Sequence, residues 1–297
     1  MDERILATLR LFRDWGHAPT LEQLSAFLLG GREGIPVLGA RLDVMEEPVV
    51  EGGIIGLAGW EHLIKKTERR LRTNRTLKEK YLRLAEAFCR DLAASCPFVH
   101  SVALAGSLAT DGFAPGDDID FDLFVDTGTR YTTYLLATLI GIRYAWRHRH
   151  RVSSEVHRTP VLPKITCVNV VWSEDQTRPF QRQDDALAFE LMRCQPLYGV
   201  DHFSRVLGNN RWISAYFPQM FERVFEERVQ ARRNTLGGFL AALGRRPLLL
   251  RLTEAASRGV AWMIYSFVQR VRNKNPEAAA RMEFLRRVKQ PYEVFQD

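Results

Sequence analysis

The sequence GSLATDGFAPGDDIDFDLFV (residues 106–125) combines a Gly-Ser pair with closely spaced aspartates between two apolar runs. The aspartates are Asp117, Asp118, Asp120 and Asp122. In a β-strand, residues i and i+2 lie on one face, about 6.6 Å apart at roughly 3.3 Å per residue. Clustered carboxylates repel one another unless a cation neutralises them, so the pattern predicts a cation site on a strand.

The spacing of these residues predicts which of them act together. Asp118 and Asp120 face the same side of the strand, and two Mg²⁺ ions about 3.5–4 Å apart fit between such carboxylates. Asp122 shares that face but lies about 13 Å from Asp118, which is too far to share a metal on a straight strand. Ser107 lies at a strand-to-turn junction, where backbone N–H groups and small side chains let a phosphate approach closely.

These residues resemble the G-S-x₁₀-D-x-D signature of the DNA polymerase β-like nucleotidyltransferase superfamily, particularly its minimal bacterial members. The resemblance implies that Gly106 and Ser107 hold the phosphates of a nucleoside triphosphate, while Asp118 and Asp120 bind Mg²⁺ or Mn²⁺. It implies transfer of an NMP, with ATP as the expected donor, to an acceptor hydroxyl with release of pyrophosphate. Asp122 is added to the catalytic aspartates as a neighbour that supports Asp120.

One position departs from the superfamily pattern. Active members carry a third carboxylate on a later strand, which matches residues 165–172 of this chain. By alternation Cys167, Asn169 and Val171 share a face, so Asn169 is expected at the third-carboxylate position. An amide ligates Mg²⁺ weakly and cannot accept a proton at neutral pH. Either another carboxylate of this chain replaces the third carboxylate, or the enzyme uses one metal ion, or the protein is a nucleotide-binding regulator without turnover. The substitute carboxylates considered are Asp122, Glu174 and Asp175.

A triphosphate also needs basic side chains. Lys164 opens the predicted third strand, and Arg130 and Arg143 flank the helix that precedes it. Basic residues at the ends of elements are usually solvated, so charge alone does not distinguish binding from solvation. Lys164 and Arg130 are the candidates for nucleotide binding.

Residues 1–60 predict a winged-helix-like domain. Two or three helical segments precede a hairpin that turns at Gly52 and Gly53, and Thr20 with Gln23 forms a capping box at the start of the second helix. The third helix and the residues that follow it contain one basic residue, Arg41, and three acidic ones, Asp43, Glu46 and Glu47. Because attraction to phosphate supplies most non-specific DNA affinity, we do not expect this helix to read DNA.

The expected fold class is α+β, with a small mixed β-sheet nucleotidyltransferase core flanked by the N-terminal winged helix and a C-terminal helical region. Residues 61–97 would form a basic linker helix and the first core helix. Residues 98–180 would form the catalytic core, and residues 181–297 the helical region.

The C-terminal region contains three predicted helical segments. Residues 185–193 and 217–233 predict one helix each, and residues 236–272 predict an apolar, arginine-rich helical segment. The last segment is interpreted either as a lid on the core or as an amphipathic surface that contacts a membrane or a partner.

Composition limits the remaining alternatives. The 297 residues carry a formal net charge of +7 and are 46% hydrophobic, which is typical of a soluble protein with a real core and favours polyanionic partners. RNA binding through the basic residues 65–75 and the arginine-rich C-terminal half is therefore a further alternative, while the acceptor stays open between a protein, a small molecule and an RNA. The four cysteines have no metal-site spacing, and no secretory signal or membrane-spanning run is visible, which predicts a cytoplasmic protein.

Overall fold

The structure, a computed structural model, describes residues 1–114, 117–148 and 165–272. The α-helices of this part are Asp2–Asp14 (α1), Leu21–Ala26 (α2), Ile35–Leu42 (α3), His62–Ser95 (α4), Gly106–Ala109 (α5), Arg130–Arg147 (α6), Asp185–Arg193 (α7), Val200–Asn209 (α8), Thr235–Gly244 (α9) and Pro247–Arg272 (α10). The β-strands are Pro48–Glu51 (β1), Ile54–Leu57 (β2), Val99–Ala105 (β3), Ile119–Val125 (β4), Thr166–Ser173 (β5) and Gln195–Tyr198 (β6). The chain is α+β with a small mixed sheet, as predicted.

The N-terminal unit consists of α1–α3 and the antiparallel hairpin β1–β2. The hairpin turns at Gly52 and Gly53, whose φ angles of 57° and 78° match the positive φ that a type I′ turn requires. Thr20 and Gln23 form the predicted capping box, and Thr20 also bridges to Ile54 in β2. The apolar faces of the three helices and of β2 enclose a small core of their own.

Helix α4 is longer than expected, because it includes both the predicted linker helix and the first core helix. In place of a basic linker helix and a separate core helix, one helix runs from His62 to Ser95. Residues 62–95 contain neither glycine nor proline to end a helix, and both halves have an apolar face. Leu63 and Ile64 pack against the hairpin, whereas Phe88 packs beneath the main sheet. At about 1.5 Å per residue, α4 spans about 51 Å and contacts both units.

The main sheet has the strand order β5-β4-β3-β6. β3 pairs antiparallel with β4 and β6, while β4 and β5 are parallel and joined through α6. The edge strand β6 has only four residues, includes Pro196, and was not predicted. Proline is tolerated there because an edge strand leaves some backbone groups outside the ladder.

β4 separates two environments. Ile119, Phe121, Leu123 and Val125 are buried in a cluster with α4 and α6. Asp120 and Asp122 project from the other face, where Phe124 is buried in a second cluster with α7 and α8. The alternation predicted for this strand is therefore confirmed.

The predicted alternation of β5 is wrong, because the strand contains a β-bulge. Phe121 pairs with Val168 and the next residue, Asp122, pairs with Val170, so Asn169 is an extra residue opposite β4. Beyond the bulge Val171 points into the α4–α6 cluster, whereas Val170 and Trp172 join the α7–α8 cluster. Val171 therefore does not share a face with Cys167.

Residues 217–233 do not form the predicted helix. A 3-10 helix, Pro218–Glu222, is followed by irregular chain up to Thr235. The backbone N–H groups of Arg228 and Val229 donate to the carbonyl of Leu197 in β6, and Glu227 accepts from the N–H groups at the start of α8. Covering a sheet edge and capping α8 thus override local helix propensity. α7 has the predicted bounds, and no described helix is long and apolar enough to cross a membrane.

Candidate functional site

Gly106 forms the turn at the end of β3 and lies directly against Asp120. Its φ angle of +65° lies in the left-handed region, and a Cβ atom at this position would lie 2.2 Å from Oδ2 of Asp120. Ala105 pairs with Asp120 in the sheet, which brings the turn and the carboxylate together. Only glycine allows the backbone to approach this carboxylate so closely.

Asp117 holds the loop that follows this turn. The hydroxyl of Ser107 donates to Oδ2 of Asp117 at 2.8 Å, and the backbone N–H of Ala114 donates to the same oxygen at 3.1 Å. Arg70 of α4 forms a bidentate ion pair with Asp117, with N–O distances of 2.5 and 3.1 Å. The first aspartate of the motif therefore has a structural role, and the Ser107 hydroxyl already has a partner.

Asp118 and Asp120, the outer pair, lie close together, as predicted, and are partly exposed. One carboxylate oxygen of each and Sγ of Cys167 all lie within 4.8 Å of one another. Cys167 approaches them because it is the register partner of Asp120 on β5. Cys167 was not among the predicted site residues; the parallel pairing of β4 with β5 was the signal needed to find it.

Asn169 contacts a carboxylate from another element. Its Nδ2 donates to Oε1 of Glu190 at 3.2 Å, and Glu190 is a buried residue of α7. Arg193, one turn further along α7, lies 3.9 Å from Oε2 of Glu190 and is also buried. The amide at the expected third-carboxylate position thus points toward α7, which supplies an acidic group that the sequence did not reveal.

Asp122 is fully buried beneath the outer pair. Sγ of Cys194 donates to its Oδ2 at 3.3 Å, and burial, followed by the charges of Asp122 and Glu190, raises the pKa of that thiol. Burial lowers the pKa of Arg193. Nearby acidic groups oppose this shift, namely Glu190, Cys194, Asp120 and Asp122. We call Asp122, Asn169, Glu190, Arg193 and Cys194 the inner cluster. Asp122 belongs to this buried layer and not to the accessible surface of the outer pair.

Arg130 does not lie near the outer pair. It is the first residue of α6, which follows the far end of β4, and Asp120 is about 16 Å from that end at roughly 3.3 Å per residue. Burial lowers the pKa of Arg130, and the acidic groups that oppose this shift include Asp175 and Glu254. The structure therefore does not bring Arg130 together with the outer pair. Lys164 lies outside the described residues.

The other two substitute carboxylates also lie at the far end of the sheet. Glu174 and Asp175 follow β5 at the end opposite Cys167. Glu174 forms an ion pair with Arg178, and Asp175 accepts from the hydroxyl of Thr127 at 3.0 Å. Neither can reach the outer pair.

The N-terminal unit contacts the loop of the site. Nε2 of Gln23 donates to the carbonyl of Thr110 at 3.1 Å, and the His17 ring lies between Gln23 and Thr67. Burial lowers the pKa of His17 to about 4. The guanidinium of Arg193 stacks over Trp15 at 4.8 Å, so the N-terminal unit also contacts the inner cluster.

Comparisons with protein-family models, curated proteins and solved structures find no match to this chain. The functional assignment therefore depends on the residues of the site and on the resemblance of residues 106–120.

Proposed function

We propose that this protein is a nucleotidyltransferase that uses Mg²⁺ or Mn²⁺ to transfer an NMP from a nucleoside triphosphate, with ATP as the expected donor, to an acceptor hydroxyl. The observation that carries the proposal is the outer pair packed against the Gly106 turn. Two partly exposed carboxylates meet a glycine turn that leaves no room for a side chain. That arrangement fits an anion bound through a cation.

The donor atoms fit a hard divalent cation. Two oxygens on one Mg²⁺ ion lie at most about 4.2 Å apart at about 2.1 Å each, and the outer pair meets that spacing with a small rotation of either side chain. Mg²⁺ keeps waters and substrate phosphates as its other ligands. Cys167 is a soft donor that Mg²⁺ does not select, so we assign the metal to Asp118 and Asp120 alone.

The proposed transfer assigns separate roles to the metal ion, the outer pair and the Gly106 turn. A bound metal would supply charge neutralisation for the triphosphate and polarise its α-phosphate. Asp118 and Asp120 would hold the cation, and glycine at position 106 keeps a side chain out of the position that the Asp120 carboxylate occupies. The acceptor oxygen would bond to the α-phosphorus as the bond to the pyrophosphate oxygen breaks; pyrophosphate leaves, and the hydroxyl proton passes to solvent water. Ser107 maintains the loop through Asp117 and can reach a phosphate only by exchanging that hydrogen bond.

We further propose the finer layout of the fold. Residues 1–60 form a winged-helix-like domain, the described part of residues 98–180 the nucleotidyltransferase core, and residues 181–272 a helical region. The order of α1–α3 and β1–β2, and the sheet order with its parallel β4–β5 pair, support this layout. The continuous helix α4 replaces the linker.

The acceptor is proposed to be a protein, with a small molecule and an RNA as alternatives. DNA is not favoured, because Arg41 of α3 forms an ion pair with Asp2 and so adds little attraction for phosphate. RNA binding through residues 65–75 is weakened in the same way, because Arg70 and Arg72 form ion pairs with Asp117 and Glu68.

A regulatory protein that binds nucleotide without turnover is the second candidate. It is favoured by one observation: the strand beside the outer pair presents Cys167, while Glu190 is buried against Asn169. A proton-accepting third carboxylate is therefore not exposed among the described residues around the outer pair. The two candidates share the binding site and differ only in turnover.

Calorimetric titration of the four ribonucleoside triphosphates in Mg²⁺ tests the shared site. We expect one triphosphate, ATP first, to bind with micromolar affinity and to lose at least about ten-fold in Asp118→Asn/Asp120→Asn. Asp111→Asn is the matched control, because Asp111 lies in the same loop but pairs with Lys78 and has a φ of 60° that asparagine also tolerates. If no triphosphate binds to the folded protein, the proposed function is wrong.

Turnover is then measured as pyrophosphate release from the triphosphate that binds, with cell extract as the source of acceptor. Release that disappears in Asp118→Asn/Asp120→Asn supports the enzyme. Binding without release in any extract supports the regulatory protein.

A further inference from the structure

Helix α10 docks on the core through a mixed face of polar and apolar side chains. Glu254 faces the core, where it accepts from the backbone N–H groups of Tyr131 and Thr132 at 2.6 and 2.8 Å and so caps α6. Ser257 is buried one turn later and lies 3.4 Å from the Thr132 hydroxyl. The docked face of α10 thus combines a capping carboxylate and small residues with the apolar side chains of Leu250 and Tyr265, which pack against the core.

The opposite face of α10 is apolar and exposed. Its side chains recur at intervals of three and four residues, which places them on one side of the helix. They are Leu249, Leu252, Ala256, Val260, Met263 and Phe267. Leu252 and Met263 are each 59% exposed and Phe267 is 63% exposed, so the stripe stands out as a ridge. With Leu236 and Phe239 of α9, it is larger than the scattered apolar residues of an ordinary surface.

The charge around this ridge is almost entirely basic. Residues 232–270 contain seven arginines, all exposed, and a single acidic residue, Glu254, which is used to cap α6. The arginines are Arg232, Arg233, Arg245, Arg246, Arg251, Arg258 and Arg270. Trp262 of the same helix is half exposed. The surface is therefore complementary to an apolar layer with negative charge at its boundary.

We propose that α10, with the exposed end of α9, binds the surface of an anionic membrane and lies in the plane of its interface. A helix of 26 residues extends about 39 Å at 1.5 Å per residue, and its ridge can enter the headgroup boundary while the arginines contact lipid phosphates. Crossing the bilayer is not the proposal, because no described helix is apolar enough to do so.

The shape of the surface favours a membrane over a protein partner. A protein partner usually binds the apolar face of a helix in a concave groove on its own surface. Here the apolar side chains project from the convex side of a docked helix, which suits a flat boundary. This inference uses no residue of the nucleotide site and stands independently of the proposed function.

Vesicle co-sedimentation of the full chain tests the proposal. We expect binding to vesicles of phosphatidylcholine mixed with phosphatidylglycerol, weak binding to phosphatidylcholine alone, and loss of binding as NaCl is raised. Leu252→Glu/Met263→Glu should weaken binding at least about ten-fold. Val44→Glu/Val224→Glu is the control, because these side chains are 69% and 91% exposed elsewhere and the variant carries the same added charge.

Three results would overturn the proposal: no binding to either vesicle, equal binding by the ridge variant and the wild type, or equal loss in the control variant. Light scattering adds a fourth, because a dimer that dissociates in Leu252→Glu/Met263→Glu would assign the ridge to a second copy of the chain. Circular dichroism of both variants verifies that they fold.

Discussion

Asp120 and Asp122 lie two residues apart on the same face of β4, and the first is partly exposed while the second is fully buried. Asp120 belongs to the outer pair, which has the glycine turn on one side and Cys167 on the other. Asp122 belongs to the inner cluster, where Cys194 donates to it and Arg193 lies within electrostatic reach. The same residue type thus serves two different purposes on one strand.

The difference shows how the molecule tolerates so many carboxylates in one strand. The inner cluster contains a buried cation, Arg193, which the protein itself supplies. The outer pair is partly exposed, which leaves it accessible to an ion from solution. Substitutions in the two layers should therefore change the free energy of unfolding by different amounts and in opposite directions.

Arg193→Met should produce the largest loss of stability. It would leave Asp122 and Glu190 buried without their cation, and removal of one partner from a buried ion pair typically costs about 3–5 kcal/mol. Chemical denaturation measures the free energy of unfolding. Adding Glu190→Gln to Arg193→Met should restore part of the loss, because it removes one of the stranded charges. A loss below about 1 kcal/mol for the single variant would contradict the role of Arg193 as the cation that stabilises the buried carboxylates.

Gly106→Ala tests the boundary between the layers. The left-handed φ costs about 1–2 kcal/mol for a residue with a Cβ atom, and the contact at 2.2 Å forces Asp120 to move. We expect a total loss of about 2–3 kcal/mol together with weaker nucleotide binding. Gly128→Ala is the matched control, because Gly128 has a φ of +77° and a Cβ atom there would meet no neighbouring heavy atom within 4 Å, so only the backbone cost remains.

Equal losses in Gly106→Ala and Gly128→Ala would show that the Asp120 carboxylate does not constrain Gly106. The comparison also separates a site effect from a backbone effect, because only Gly106→Ala should change nucleotide affinity.

The parts of this site that are local in sequence were predictable. The bounds of β4, its alternation, the Gly106 turn and the capping box at Thr20 follow from patterns within a few residues. These signals suffice to bring Asp118 and Asp120 together, since i and i+2 positions on a strand share a face whatever the rest of the chain does.

The parts that depend on distant contacts were not predictable. The bulge at Asn169 depends on how β4 and β5 pair, and the residues beside it carry no local sequence signal for a bulge. Glu190 lies 21 residues beyond Asn169 on a helix whose buried face reads as ordinary core. The segment 217–233 has helical composition, but its backbone covers β6 and its Glu227 side chain caps α8. In each case a tertiary contact decides between locally acceptable structures.

Asp118→Asn/Asp120→Asn should have the smallest effect on stability when no divalent cation is present. Removing two like charges from a partly exposed surface relieves repulsion, so we expect the free energy of unfolding to change by less than about 0.5 kcal/mol or to rise slightly. In Mg²⁺ the wild type should gain stability as the ion binds the folded state, by about 2.7 kcal/mol at 100 times the dissociation constant, and the variant should not. Thermal melting with and without Mg²⁺ measures both quantities. If the variant gained as much from Mg²⁺ as the wild type, the ion would bind elsewhere, and the outer pair would be a second structural layer like the one beneath it.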